Sequence, residues 1–227
     1  MRLVPILLVL LGATAFADKP AAATGRIHGK VTVTEADGKP APGVDVIVYI
    51  VADNFSEPGG QVTEKIAQKG RKFVPDLVAI TKDDSVEFPN EDPFFHNVFS
   101  QSPARKFDLG NFKKGESKSK KFEQTGVVDV YCNIHPEMAA TILVLPNKKH
   151  VRADAQGRYV LEGVPAGTVK VYAYTRRATT PANSQVTVKA NDDVNVDLAL
   201  VRGAEPPHMN KYGAKYTGPG GSYPKQP

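Results

Sequence analysis

A series of short β-forming runs, cut apart by Gly-, Pro- and Asp-rich turns, leaves this chain few ways to fold. The runs are RIHGKVTV (26–33), VDVIVYIV (44–51), DSVEFPN (84–90), GVVDVYC (126–132), ATILVLP (140–146), TVKVYAY (168–174), QVTVKA (185–190) and VNVDLALV (194–201). Between them stand ADGKPAPG, DAQG, VPAG and ANDD, which are turn sequences. Successive side chains on a strand point to opposite faces, so alternation of this kind marks strands with one buried face. No stretch carries a long amphipathic helical period, and no segment repeats at a solenoid interval. Short strands at this spacing predict an all-β chain built from sandwiches. The length of 227 residues suits one large domain or two small ones.

The N-terminus, MRLVPILLVLLGATAFA, has a basic start at Arg2, an apolar run over 3–11 and a small-x-small end at Ala15-Phe16-Ala17. That pattern predicts a signal peptide over 1–17 with cleavage before Asp18. The alternative, a membrane anchor, needs a run long enough to cross a hydrocarbon layer of about 30 Å, and this one is short. No later segment is long and apolar enough to span. An exported, periplasmic protein without a membrane span is therefore expected, and the compact leader favours a Gram-negative source.

Export sharpens the meaning of the cysteine content. The chain has one cysteine, so no intramolecular disulfide can form. A free thiol in an oxidising compartment must be buried or ligated. Cys132 ends a strand run and opens the sequence CNIHPEM, so that Cys132, His135 and Met138 fall on one tight loop before the run ATILVLP. A thiolate, an imidazole and a thioether form a soft donor set suited to copper that cycles between Cu(I) and Cu(II). A second imidazole is required, and FPNEDPFFHNVFS (88–100) supplies His96 at the end of another strand-like segment. Two imidazoles and a thiolate in a plane with a weak axial thioether make a blue-copper site. The other reading is a buried cysteine with incidental polar neighbours.

These residues resemble the cupredoxins, in particular the plastocyanin and amicyanin branch, over about 61–146. KFVPDLVAITKDDSVEFPNEDPFFHNVFS is similar to the strands that lead to the family's first histidine, and GVVDVYCNIHPEMAATILV is similar to its ligand loop and last strand. The short gap from His135 to Met138 is most similar to amicyanin. The resemblance implies a Greek-key β-sandwich holding one type 1 copper, with His96, Cys132 and His135 equatorial and Met138 axial. It implies that Asn97 braces the ligand loop. It also implies an electron port at the exposed edge of His135, bordered by Pro136 and Ala139.

The flanks extend beyond such a domain. GKVTVTEADGKPAPGVDVIVY and RADAQGRYVLEGVPAGTVKVYAY resemble the carboxypeptidase regulatory-like, transthyretin-type sandwich. That resemblance implies a discontinuous second domain made of 26–55 and 148–202, with the copper domain inserted in a hairpin connection. Long insertions at loops cost little because closure entropy grows slowly with length. A single decorated copper sandwich is the alternative. Tyr159, Tyr172 and Tyr174 are expected to pack rather than bind sugar. His28 and His150 read as a strand polar residue and a junction residue. Residues 203–227, rich in Pro, Gly, Tyr and Lys, read as a disordered tail, with His208 and Met209 as solvated residues within it.

Lys and Arg number 29 against 24 Asp and Glu, a net charge of +5. Loss of Arg2 with the leader lowers it to about +4, too mild for nucleic-acid binding. The basic residues cluster in RKFDLGNFKKGESKSKK (105–121), which is either a solvated hairpin or a docking patch for an acidic partner. The expected function is single-electron transfer between redox partners, docking near His135 or near 105–121, by a monomer that is not an enzyme. The competing classes are a copper-trafficking or storage protein, and an envelope interaction module with a subsidiary copper site. Scarcity of methionine, 3 in the whole chain, argues against the first of these.

Overall fold

The structure is a computed structural model that describes residues 23–216 apart from residue 54; the expected leader and residues 217–227 lie outside the described residues. Every regular element among the described residues is a strand. In chain order these are β1 (Thr24–Glu35), β2 (Ile47–Val51), β3 (Thr63–Lys65), β4 (Ala67–Gln68), β5 (Phe73–Val74), β6 (Leu77–Thr81), β7 (Ser85–Pro89), β8 (His96–Ser100) and β9 (Phe107–Phe112). They continue as β10 (Ser117–Lys121), β11 (Gly126–Tyr131), β12 (Ala139–Leu145), β13 (His150–Arg152), β14 (Arg158–Pro165), β15 (Gly167–Tyr174), β16 (Ala182–Val188), β17 (Asp193–Asn195) and β18 (Leu198–Arg202). The all-β class expected from the alternating runs is the class observed.

Strands from the two ends of the chain share two sheets. One runs β14-β1-β17, with β18 also pairing β1, and the other runs β13-β2-β15-β16. The inward residues of these strands, among them Ile27, Val48, Ile50, Tyr159, Val171 and Leu200, form one core. The middle of the chain builds the sheets β10-β7-β3 and β6-β12-β11-β8-β9. Its core includes Phe88, Val98, Phe112, Phe122, Val130, Cys132, Met138 and Ile142. Each core therefore fills the space between two sheets, as a sandwich requires.

β12 explains how the two cores meet. A strand buried on one face alternates, but AATILVL is buried along nearly all its length. Ala140, Ile142 and Val144 point into the core that holds Cys132. Leu143 and Leu145 point the other way and pack with Leu77 and Ile47 in a third apolar cluster, flanked by Tyr49 and Tyr174. Ile47 and Tyr49 are the outward residues of β2, whose Val48 and Ile50 face the other core. The outer faces of two sheets are thus pressed together. Tyr49 stacks on Tyr172 at 5.2 Å between ring centroids. At the rim Arg152 donates to Leu77 O at 2.8 Å and pairs with Asp45 at 2.7 Å. Of the other tyrosines named in the flanks, Tyr159 is buried and donates its hydroxyl to Val196 O at 2.6 Å.

Candidate metal centre

Two strands and one loop bring the donor residues together. His96 begins β8, a strand buried at every position, because its HNVFS sequence lies between β11 and β9. Cys132 follows the last residue of β11, and β12 begins at Ala139, so residues 133–138 must turn the chain back within one loop. Cys132 N–H donates to Met138 O at 3.2 Å and Met138 N–H donates to His135 O at 3.0 Å, which closes that turn. Cys132, His96 and Met138 are buried and His135 is half-buried. Met138 lies in the same apolar core as Cys132.

The three donor atoms form a compact triangle. Cys132 Sγ is 3.8 Å from His96 Nδ1 and 3.8 Å from His135 Nδ1, and the two Nδ1 atoms are 3.1 Å apart. A triangle with these sides has a circumradius of about 2.1 Å, close to first-row metal bonds of about 2.0–2.1 Å to imidazole and about 2.3 Å to thiolate. One ion at its centre would reach all three donors without any of them moving. Among the described residues His96, Cys132 and His135 are the one group of three or more His, Cys, Asp or Glu side chains converging this closely. The residues present therefore fit a metal ion, and two imidazoles with a thiolate fit copper among the candidates.

The surroundings fix how each donor is presented. His96 Nε2 lies 2.8 Å from Asp92 Oδ2. A carboxylate accepts, so the Nε2 atom carries the proton and the lone pair of Nδ1 faces the centre. Asp92 is itself held by Gly70 N–H at 2.7 Å and Arg71 N–H at 3.0 Å, in a tight turn where both residues have positive φ. Burial alone would raise the Asp92 carboxyl; the two backbone donors and the His96 ring outweigh it and hold the group below its usual value. Burial, and then the neighbouring His96, push the His135 imidazole down, so it favours the neutral form that can donate a lone pair. Burial pushes the Cys132 thiol up, opposed by the N–H groups of Asn97, His135 and Ile134. A cation at the centre reverses that preference and favours the thiolate.

Asn97 connects the two halves of the site. Its N–H donates to Cys132 Sγ at 3.4 Å. Its side-chain Oδ1 accepts from Asn133 N–H at 3.4 Å, and its Nδ2 donates to Asp108 Oδ1 at 2.7 Å and Gly110 O at 3.0 Å. Phe94 lies 5.2 Å from the His96 ring and 5.6 Å from the His135 ring, with the Arg71 guanidinium 5.1 Å from its own centroid. Pro136 and Ala139 beside His135 are half-buried, and Ile134 is exposed.

Sequence reasoning missed Asp92, Asp108 and Phe94. Asp92 stands four residues before His96 in NEDPFFH, and that spacing was the one available signal. The described part of the segment expected as a tail, from residue 203, makes defined contacts. His208 stacks on Tyr131, with centroids 3.8 Å apart and planes 14° apart, and Asn210 is buried. Tyr131 supplies a flat apolar platform beside the ligand loop, which no tail composition reveals. The segment 105–121 is not the expected hairpin: β9 pairs with β8 and β10 with β7, in different sheets, and Lys118 folds back to donate to Leu109 O and Asn111 O.

No family model matches this sequence, and no match is found among curated proteins. The solved structures to which the chain is similar include a purple cupredoxin and amicyanins. A purple cupredoxin from Nitrosopumilus maritimus is 22% identical, aligned over 36% of this chain and 98% of its own, with a TM-score of 0.33. A Cu(I) amicyanin in which one methionine is mutated to alanine is 18% identical, aligned over 43% of this chain and 97% of its own, with a TM-score of 0.35. The oxidised state of an amicyanin in which one proline is mutated to alanine is 19% identical over 43% of this chain and 97% of its own, with a TM-score of 0.35. Among the described residues no helix is long and apolar enough to cross a membrane.

Proposed function

We propose that this chain is an exported, periplasmic blue-copper protein that carries single electrons between redox partners and turns over no substrate. The observation that carries the reading is the donor triangle of His96, Cys132 and His135, with its circumradius of about 2.1 Å. Met138 is proposed as the weak axial donor. Bound copper would supply reversible one-electron chemistry between Cu(I) and Cu(II). The protein supplies a preset donor geometry: the Asp92 bond fixes the His96 tautomer, and Asn97 ties the strand of His96 to the loop of Cys132. A site that is held in place by both strands needs little rearrangement on electron arrival. The half-buried edge of His135, with Pro136 and Ala139, is the proposed port. An acidic partner could dock there or on the lysine-bearing segment 105–121.

The discontinuous transthyretin-type domain of 26–55 and 148–202, with the copper sandwich of 61–146 inserted, forms part of the same proposal. Its support is that one core draws residues from both ends of the chain while the other draws only on the middle. The test of function is optical. Copper(II) added to the mature protein should give one intense thiolate-to-copper band per chain, bleached by reductant and restored by oxidant with the metal retained. Cys132→Ser should remove the band. Rapid loss of copper to a chelator in both oxidation states would instead favour a trafficking protein.

A further inference from the structure

Beyond β18 the chain returns to the ligand loop. Arg176 pairs with Glu205 at the start of this return. His208 then lies flat on Tyr131, and its Nε2–H donates to Pro136 O at 2.8 Å. Proline has no N–H, so this carbonyl is the only backbone hydrogen-bonding group Pro136 has. Asn210 turns the segment by accepting from Tyr212 N–H at 2.9 Å and Ala214 N–H at 3.0 Å. Lys211 N–H donates to Asn133 Oδ1 at 3.0 Å, and Lys211 Nζ donates to Asp108 Oδ2 at 2.7 Å.

These bonds close a circuit. Lys211 holds Asn133, Asn133 N–H holds Asn97, Asn97 holds Asp108, and Asp108 holds Lys211 again. Asn97 is the residue after His96, and Asn133 is the residue after Cys132. Pro136, held by His208, is the residue after His135. The residue following each of the three converging donors is therefore tied directly or through one neighbour to the returning segment.

We propose that residues 205–214 are an intrachain clamp on the ligand loop, with His208 and Lys211 as positioning residues that hold His135 and Cys132 in donor geometry. The idea rests on the copper reading for its purpose but not for its detection. Without the clamp the loop keeps its short turn at Met138 and its bond to Asn97, while the bonds at Asn133 Oδ1 and Pro136 O are lost. Loss of two net hydrogen bonds shifts a local opening equilibrium by about ten- to a hundredfold.

The test compares the full mature chain with a chain ending at Gly203, a chain ending at Tyr216, and His208→Phe. Among the described residues none beyond Leu200 belongs to any of the three apolar clusters, so shortening leaves them intact. The first readout is amide exchange at Asn133 and Met138 in metal-free protein. Exchange should be about ten- to a hundredfold faster when the chain ends at Gly203 and unchanged when it ends at Tyr216. His208→Phe keeps a ring over Tyr131 and removes the donor to Pro136, so it should give part of the increase; it carries the test alone if the Gly203 chain loses its β-sheet signal. The second readout is the rate of copper(II) loss to a chelator, which should rise with exchange. Unchanged exchange at both amides in the Gly203 chain and in His208→Phe overturns the clamp. Faster exchange in a protein whose full chain takes up no copper supports the clamp and overturns the copper reading instead.

Discussion

His96 and Asp92 form a buried pair in which one ring nitrogen faces a carboxylate oxygen at 2.8 Å and the other faces the Cys132 sulfur at 3.8 Å. The carboxylate settles which nitrogen is free to bind a metal, and it adds negative charge just behind the proposed ligand. Asp92→Asn should therefore weaken copper binding by about ten- to a hundredfold. It should also raise the reduction potential, because a lost negative charge destabilises Cu(II) more than Cu(I). Competition titration and voltammetry read the two effects; an unchanged affinity would show that the loop alone fixes the ring.

Met138→Gln should retain copper and lower the potential. The amide oxygen is a harder donor than a thioether and favours Cu(II). Binding should suffer less than in Cys132→Ser or His96→Ala. A potential that stays constant would remove Met138 from the proposed donor set.

Asn97 is fully buried, and its side chain bridges Asp108, Gly110 and Asn133. Asn97→Ala leaves the buried Asn133 N–H without its partner and removes the bonds to the more exposed Asp108 and Gly110. The metal-free protein should lose about 1–3 kcal/mol, seen as a lower urea midpoint at constant slope. Loss near zero would mean that water replaces the amide freely.

Leu143 is 2% exposed and faces away from the core that holds Cys132, toward Ile47 and Leu77. Leu143→Ala should cost about 2–5 kcal/mol by leaving a cavity between the sandwiches. Calorimetry should show one transition in the wild type and a tendency to separate into two in the variant. Two well-separated transitions in the wild type would show that the shared face contributes little.

Burial, then the nearby Asp129 and Glu205 carboxylates, push the Tyr131 phenol up to about 12. The folded chain thus keeps the proton through the range from about 10 to 12, where the unfolded chain gives it up. Stability falls as pH rises through that window. Tyr131→Phe should flatten the alkaline fall, measured as urea midpoint against pH. An identical profile in the variant would assign the fall to other groups.

Much of this was legible in the alternating runs, and the reasons for the gaps are local. The runs at 26–33 and 126–132 fall on strands because their own period matches a buried face, and the run at 140–146 because its β-branched and apolar residues suit a strand buried on both faces. SKSKK, now β10, carries no apolar residue and becomes a strand only through pairing with β7. The converging donors could be read from CNIHPEM and FHNV because residue chemistry and spacing were enough. Asp92, Asp108 and Phe94 could not, since their roles come from where a turn, a hairpin and a ring happen to meet. His208 escapes a sequence reading for the same reason: composition describes a segment, while its partner Tyr131 lies far back in the chain.

The two-faced burial of β12 has a practical consequence for anyone wishing to isolate the proposed copper sandwich. A fragment spanning 61–146 would carry Leu77, Leu143 and Leu145 as a bare greasy stripe, and a fragment made from the two ends would bare Ile47 in turn. Either piece would be prone to self-association through the face that once met its neighbour. Copper-loading trials on an excised module would then report on clumping as much as on the ligands, unless the stripe were first recoated with polar residues.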